Sequence, residues 1–430
     1  MNYKQSYVPK RKKVNYKIVV PFLLLIGILV FASVSMFFPS DTPQVKEMAI
    51  CGLTPRKSRD VISRLEVEHT RLFSDYGVYG ETLGIYQNEF VVGDKDPFMG
   101  KTLYLRNVCT DEEYSYLMGV ELDSKIPIEN LENGFYEVEI LNGLTRERLV
   151  ASDQFDDTFT ALAQDGDVKS LRLVADKTLF DTPTETELLS DHFLFFEVKS
   201  EVIPENVYDV VIDPGGLMTF DNGKIDFGYK RKDIIEADLM YEYAQGVKDI
   251  LEAKGLKVLS VRDNETPIET FGPNSRLHKA YGVKAKYYFQ LNLDFSFYKP
   301  DKGMTILYSN YASNHIATSI MKELNLHSNL PVSYFTSGNN LEGVYQPRLV
   351  NNRDNRDIIR EAGGKFTGAG LNEEFKTLNT DHTDSRYGIQ TVVIDYGYIN
   401  DDITYDALLM QKDAIIQATA QGILNGLRID

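Results

Sequence analysis

The sequence predicts three parts in series: one transmembrane helix, an all-β sandwich of immunoglobulin-like kind, and an α/β domain whose central, mostly parallel sheet carries helices on both faces. Three observations predict it. An uncharged run of 21 residues, Ile18 to Phe38, follows a basic leader. Short β-type runs broken by Asn-Gly, Asp-Gly and proline turns fill about residues 101–203. From about residue 204 to residue 430, strand-like and helix-like periods alternate, as in a parallel sheet covered by its crossover helices.

Residues 1–17 hold Lys4, Lys10, Arg11, Lys12, Lys13 and Lys17 with no acid, and read as a cytoplasmic tail. At about 1.5 Å per residue the run 18–38 reaches roughly 31 Å, against a bilayer core of about 30 Å. The apolar region of a cleaved signal peptide is shorter, about 7–15 residues. The reading is therefore a single-pass cell-membrane protein with its C-terminal part outside. The net charge of -17 becomes -23 once the tail is set aside, since 40 basic side chains then face 63 acidic ones. So acidic a surface repels a phosphate backbone, which excludes nucleic acid as a partner. Cys51 and Cys109 are the only cysteines. They allow one disulfide in an oxidising compartment and exclude zinc-finger or CxxC chemistry by count.

Residues 39–100 read as a stalk with a short helix and an irregular segment. The helix lies in "RKSRDVISRLEVEHTRLFSDYG", where Val61, Ile62, Leu65 and Leu72 recur at helical spacing up to Gly77. His69 falls within it as a surface residue. "TLYLRNV", "FYEVEIL", "VKSLRLVAD" and "HFLFFEVKS" are among the strands of the sandwich, the second alternating bulky and charged residues as a half-wet strand does. Asp153, Asp156 and Asp157 lack the spacing of a calcium loop and read as solvated.

After Pro204, "DVVID" is a buried strand ending in Asp213-Pro214-Gly215. "DIIEADLMYEYAQGVKDILEAKG" is a helix burying Leu239, Tyr243, Val247 and Leu251 and stopping at Gly255. "LKVLSV", "YYFQLNL", "MTILYS" and "QTVVIDYGYI" are strands. "SRLHKAYGVKAK", "YASNHIATSIMKELN" and "LLMQKDAIIQATAQGILNGL" are helices. In such sheets chemistry sits past the carboxyl ends of the strands, which points to Asp213 and its neighbours. An Asn-, Arg- and Gly-rich segment, about residues 328–384, interrupts the alternation as a lid, a contact surface or a plain insertion.

In their order, "VVIDPGG", "EADLMYEYAQGVKDILEAKGLKVLSVRD", "SRLHKAYGVKAKYYFQLNLD" and "TVVIDYGYIND" resemble the zinc-dependent N-acetylmuramoyl-L-alanine amidases of bacterial cell walls, over about residues 205–430. In that family two His and a Glu bind zinc, a fourth position stays open for water, and a late Glu is the general base. The resemblance places the first His on Gly216, the ligand Glu on Glu236, the second His on Asn292 and the base on Asp395. It also makes Asp213, Arg262, Arg276 and Asn292 candidate binding residues. A catalytic zinc takes three protein ligands, commonly imidazoles. Gly216 offers no side chain, and Asn292 offers only a neutral oxygen that suits hard cations. Asp395 is one methylene shorter than Glu, and a shift of roughly 1 Å can cost on the order of 100-fold.

Of the domain's histidines, His278 and His315 fall on predicted helices, and His382, on a polar loop, is the one candidate to replace a lost ligand. Glu236 has a second rationale, since an acid in the first turn of a helix is stabilised by the dipole. The expected function is an inactive, amidase-like domain that binds peptidoglycan, a cell-wall glycopeptide or a protein partner in the envelope or division machinery. No cofactor is expected, and zinc only with a rearranged site. The alternatives are an active amidase using Glu236, Asp395 and His382, and a structural scaffold. Gly216→His with Asn292→His is expected to raise zinc affinity.

Overall fold

The computed structural model describes residues 55–65, 69–79, 81–88, 95–119, 125–164, 167–175, 192–202, 205–220, 222–269, 275–310, 312–336, 341–350, 353–354, 363–364 and 389–429. The predicted tail 1–17, the predicted span 18–38 and His382 lie outside the described residues. Among those described, no helix is long and apolar enough to cross a membrane. The chain divides into two units, Met1–Glu47 and Met48–Asp430, and all the described residues fall in the second.

Helix α1 (Pro55–Leu65) buries Val61, Ile62 and Leu65 against Phe135, Val174 and Phe195. It does not run on to Gly77 as the spacing predicts. Instead β1 (His69–Phe73), β2 (Asp75–Tyr79) and β3 (Thr82–Tyr86) follow. The aromatic and β-branched residues there fit a pleated, half-buried surface better than a helix. Phe73 and Tyr76 are buried, while Leu72, assigned by spacing to the inner face, is 48% exposed. His69 accordingly opens a strand, and much of the expected stalk belongs to the β-unit.

That unit continues with β4 (Lys101–Asn107), β5 (Glu113–Met118), β6 (Ile126–Pro127), β7 (Gly134–Asn142), β8 (Thr145–Ala151), β9 (Phe155–Gln164), β10 (Asp167–Ala175), β11 (His192–Phe193) and β12 (Phe195–Val202). One sheet has the order β1-β8-β7-β12-β10-β9, with β4 on β7, β5 on β4 and β11 on β8. A smaller one joins Gly363–Gly364, β2, β3 and β6. Tyr76, Leu83 and Ile85 of the small sheet share a core with Leu103, Val138, Leu171 and Phe196 of the large one. The unit is therefore two packed sheets. Its strand order and the parallel β1–β8 pair differ from the antiparallel pairing of an immunoglobulin sandwich. Cys109 is disulfide-bonded, and Cys51 is the only other cysteine in the chain.

The α/β domain is built on β13 (Val210–Pro214), β14 (Val258–Ser260), β15 (Tyr287–Asp294), β16 (Thr305–Tyr308), β17 (Val344–Tyr345) and β18 (Gln390–Tyr398). Their order is β14-β13-β15-β18-β16-β17, parallel throughout except for the antiparallel β16–β18 pair. Both neighbours of β13 run parallel to it and all five of its residues are buried, which explains its unbroken apolar run. One face of the sheet packs on α2 (Glu236–Ala253), α4 (His315–His327) and α6 (Lys412–Leu427), and the other on the short α3 (Arg276–Gly282). The predicted closing helix is two, α5 (Asp402–Met410) and α6, because Gln411 leaves helical geometry between them. The interrupting segment is also more than a loop. It supplies edge strand β17 and, through Gly363–Gly364, a strand beside β2 of the β-unit.

Helices α4 and α6 approach closely because α6 carries glycines where they cross. A Cβ at Gly422 would lie 2.5 Å from Ile320 Cα, and one at Gly426 2.9 Å from Ile316 Cα. Alanine in place of a helical glycine usually adds about 1 kcal/mol. Here the sign should invert. Gly422→Ala is expected to lower stability by about 1–3 kcal/mol through overpacking. Gly282→Ala, where a Cβ meets nothing within 4 Å, should not. Urea unfolding of the two variants against the parent measures the difference.

Candidate functional site

The carboxyl end of β13 is fixed from below by one buried carboxylate. Asp213 accepts hydrogen bonds from Arg276 Nη1 at 2.8 Å, from Gln290 Nε2 at 3.1 Å and from the Tyr288 hydroxyl. Arg276 and Asp213 are an ion pair with side chains 1% and 0% exposed. Removing one member of such a pair strands the other and typically costs about 3–5 kcal/mol. The sequence places these groups together simply. Asp213 pairs with Gln290 across the β13–β15 ladder, and Tyr288 lies two residues back on the same face.

Two arginines then clamp the turn itself. Arg262 donates to the carbonyls of Pro214 (3.0 Å), Gly215 (2.7 Å) and Ala237 (2.8 Å), and Arg276 donates to that of Gly216 (3.2 Å). Burial and the nearby Arg276 push the Arg262 guanidinium down to about 10. Asp213, Arg262 and Arg276, candidate binding residues by resemblance, are therefore occupied in holding the backbone, and all three are buried.

The clamp imposes an uncommon backbone. Gly216 and Leu217 have φ of +70° and +53° in succession. Leucine in that region is strained. It is held there by burial of its side chain and by its carbonyl, which accepts from Ile268 N at 3.1 Å. A Cβ at Gly216 would meet Phe227 O at 2.8 Å and Ala237 Cα at 3.0 Å. This corrects the expectation for Gly216→His, because any side chain there collides with backbone in a conformation only glycine adopts freely.

Glu236 and Asn292 do come together, as the resemblance implies. A Cβ on Gly215 would lie 2.6 Å from Asn292 Oδ1 and 2.9 Å from Glu236 Oε1. Asp395 joins them, since Asn292 and Asp395 are Cα partners on β15 and β18. The Glu236 carboxylate is already engaged. Oε1 accepts from Leu293 N at 3.0 Å and Oε2 from Tyr229 N at 2.9 Å. Burial raises its pKa above the usual 4.5, against the pull of those two donors, with Asp226 and Asp294 adding to the rise. Asp395 Oδ1 accepts from Gly397 N at 3.0 Å. One carboxylate tied to two amides, one neutral amide oxygen and a glycine do not make the donor set a catalytic zinc takes. Among the described residues no group of three His, Cys, Asp or Glu could hold a metal. His278 lies on α3 and His315 opens α4, in neither case at the carboxyl end of a strand.

The sequence reading missed Tyr229, whose amide takes half of Glu236, and missed the aromatic residues after β15. Tyr229 stacks on Phe295, with ring centroids 5.7 Å apart, and Phe295 meets Phe297 edge-on at 4.8 Å. The available signal was "FSFY" directly after a strand end, where a solvated turn is normally polar.

Residues 210–428 match the family model described as N-acetylmuramoyl-L-alanine amidase. A comparison with curated proteins gives no match. Among solved structures, the chain is similar to the catalytic domain of CwlV from Bacillus (Paenibacillus) polymyxa var. colistinus, at 18% identity and a TM-score of 0.35 over 52% of this chain and 100% of that one. It is similar to Ami1 from Mycobacterium smegmatis, at 16% identity and a TM-score of 0.37 over 52% and 98%. It is also similar to the CwlD amidase from Clostridioides difficile, solved in complex with the GerS lipoprotein, at 17% identity and a TM-score of 0.35 over 52% and 100%.

The raised Glu236 pKa predicts a pH dependence with a definite sign. An acid titrating higher in the folded than in the unfolded chain contributes stability below its unfolded value near 4.5, lost as the pH rises through the folded value. Measured against Glu236→Gln, the parent should therefore lose ground between about pH 4 and about pH 7. Urea unfolding of both proteins at the two pH values gives the difference, and a constant gap would show that the folded pKa is not raised.

Proposed function

We propose a binding role without hydrolysis for this chain, which belongs to the N-acetylmuramoyl-L-alanine amidase family: it is a membrane-anchored, extracytoplasmic cell-wall protein that holds peptidoglycan at the carboxyl end of its sheet. The observation that carries this reading is that two of the three ligand positions hold a left-handed glycine and a neutral amide, Gly216 and Asn292, in place of imidazoles, beside a Glu236 carboxylate already held by the amides of Tyr229 and Leu293. A zinc ligand must turn a lone pair toward the metal and keep a neighbouring position open for water. Here the one ligand-type side chain at the turn serves to join the α2 amino terminus to β15 and to the loop before α2.

Anchorage is supported by the six basic residues ahead of the uncharged run Ile18–Phe38. An oxidising compartment for the remainder is supported by the disulfide at Cys109. The β-unit, joined to the α/β domain through Gly363–Gly364 and β2, then serves as spacer between membrane and wall.

The test incubates full-length protein in detergent with intact peptidoglycan and added zinc. We expect the protein to sediment with the polymer and the supernatant to contain no stem peptide by mass spectrometry. Stem peptide released in proportion to protein, and absent with Glu236→Ala, would refute the non-hydrolytic reading. Failure to sediment would refute peptidoglycan binding and leave a scaffold.

A further inference from the structure

We propose that the aromatic strip Tyr229–Phe295–Phe297 binds the free side-chain ammonium of a diamino acid in a cell-wall peptide. The proposal rests on the peptidoglycan-binding reading above and names the group that is recognised. Three rings in series, Tyr229 on Phe295 and Phe295 on Phe297, meet where β15 ends, beside Glu236 and Asn292. Phe297 is 76% exposed and Tyr229 41%, and the adjoining Tyr298 is almost wholly in solvent. Single exposed rings are ordinary, but contiguous ones mark a surface that is covered in use.

Charge selects the occupant. Asp226, Glu236, Asp294 and Asp395 lie close enough to Tyr229 to raise its phenol pKa, with burial the larger cause. Asp226 and Asp294 accept hydrogen bonds from the backbone amides of Gly228 and Phe295. Among the described residues neither of them, nor Glu236, is ion-paired with a lysine or arginine. Ring faces rimmed by carboxylates suit a cation, which gains from the ring quadrupole and from the charges together. The chain's own Lys299 illustrates the geometry, its ammonium lying 5.1 Å from the Tyr398 ring centroid at the same strand ends. A neutral glycan brings no counter-charge to Asp226 and Asp294, whereas a peptide bearing a free amine matches both the rings and the charge. The overall charge of -17 acts in the same direction at longer range.

The experiment titrates full-length protein in detergent micelles with synthetic L-Ala-γ-D-Glu-L-Lys and with the same tripeptide carrying an acetylated lysine amine. Acetylation keeps the length and removes the charge. The free amine should bind about fivefold tighter or more, and the preference should shrink as salt is raised. Phe297→Ala should abolish the preference, and because that ring is exposed its loss leaves the core intact. Equal affinity for the two peptides, no binding of either, or a preference that survives Phe297→Ala would each overturn the proposal. Sedimentation of the same protein with intact peptidoglycan is read in parallel. If it persists while the amine preference is absent, this inference has failed and peptidoglycan binding has not.

Discussion

The carboxyl end of β13 depends on the charge of Asp213. That carboxylate is fully buried and bonded by Arg276, Tyr288 and Gln290, three side chains from α3 and β15. A buried ion pair is weak evidence for net stability, since desolvation offsets much of the attraction. Its effect here is geometric. Once Arg276 is drawn to Asp213, its second nitrogen reaches Gly216 O, and Arg262 takes the two carbonyls before it. The turn is thereby fixed in a course that only glycine follows easily at position 216.

From that course the rest of the site follows. Phe227 O and Ala237 stand where a Cβ on Gly216 would lie, so the absence of a side chain there lets the loop before α2 close over the helix start. Phe227 O and Tyr229 O accept the amides of Ala237 and Glu236, closing two of the open donors of that first turn. The Glu236 side chain answers by accepting the amides of Tyr229 and Leu293, so loop, helix and strand meet on one carboxylate. The Glu236 carboxylate is thus hydrogen-bonded on both oxygens by backbone amides.

Much of this was legible in the sequence. The alternation of strands and helices after residue 204 and the buried run of β13 follow from periodicity, while the juxtaposition of Glu236, Asn292 and Asp395 is what the family resemblance implies. The β-unit was less legible. Leu72 continues the helical spacing of Val61, Ile62 and Leu65, yet the helix stops at Leu65, and Phe73 and Tyr76 are buried on strands in the core of the β-unit. Arg262 and Arg276 were candidate binding residues by resemblance alone. Only the carbonyls around them reveal what they hold. The break at Gln411 and the left-handed pair at 216–217 leave no mark on residue type beyond a single glycine. Tyr229 acts on Glu236 through its amide, which side-chain identity does not report.

Zinc stoichiometry tests the central claim most directly. Full-length protein equilibrated with excess zinc and freed of unbound metal is assayed for metal per chain, beside Glu236→Ala. With the carboxylate held by two amides and no imidazole at positions 216 or 292, well below one zinc per chain is expected, equal in the two proteins. One zinc per chain in the parent, lost in Glu236→Ala, would contradict it.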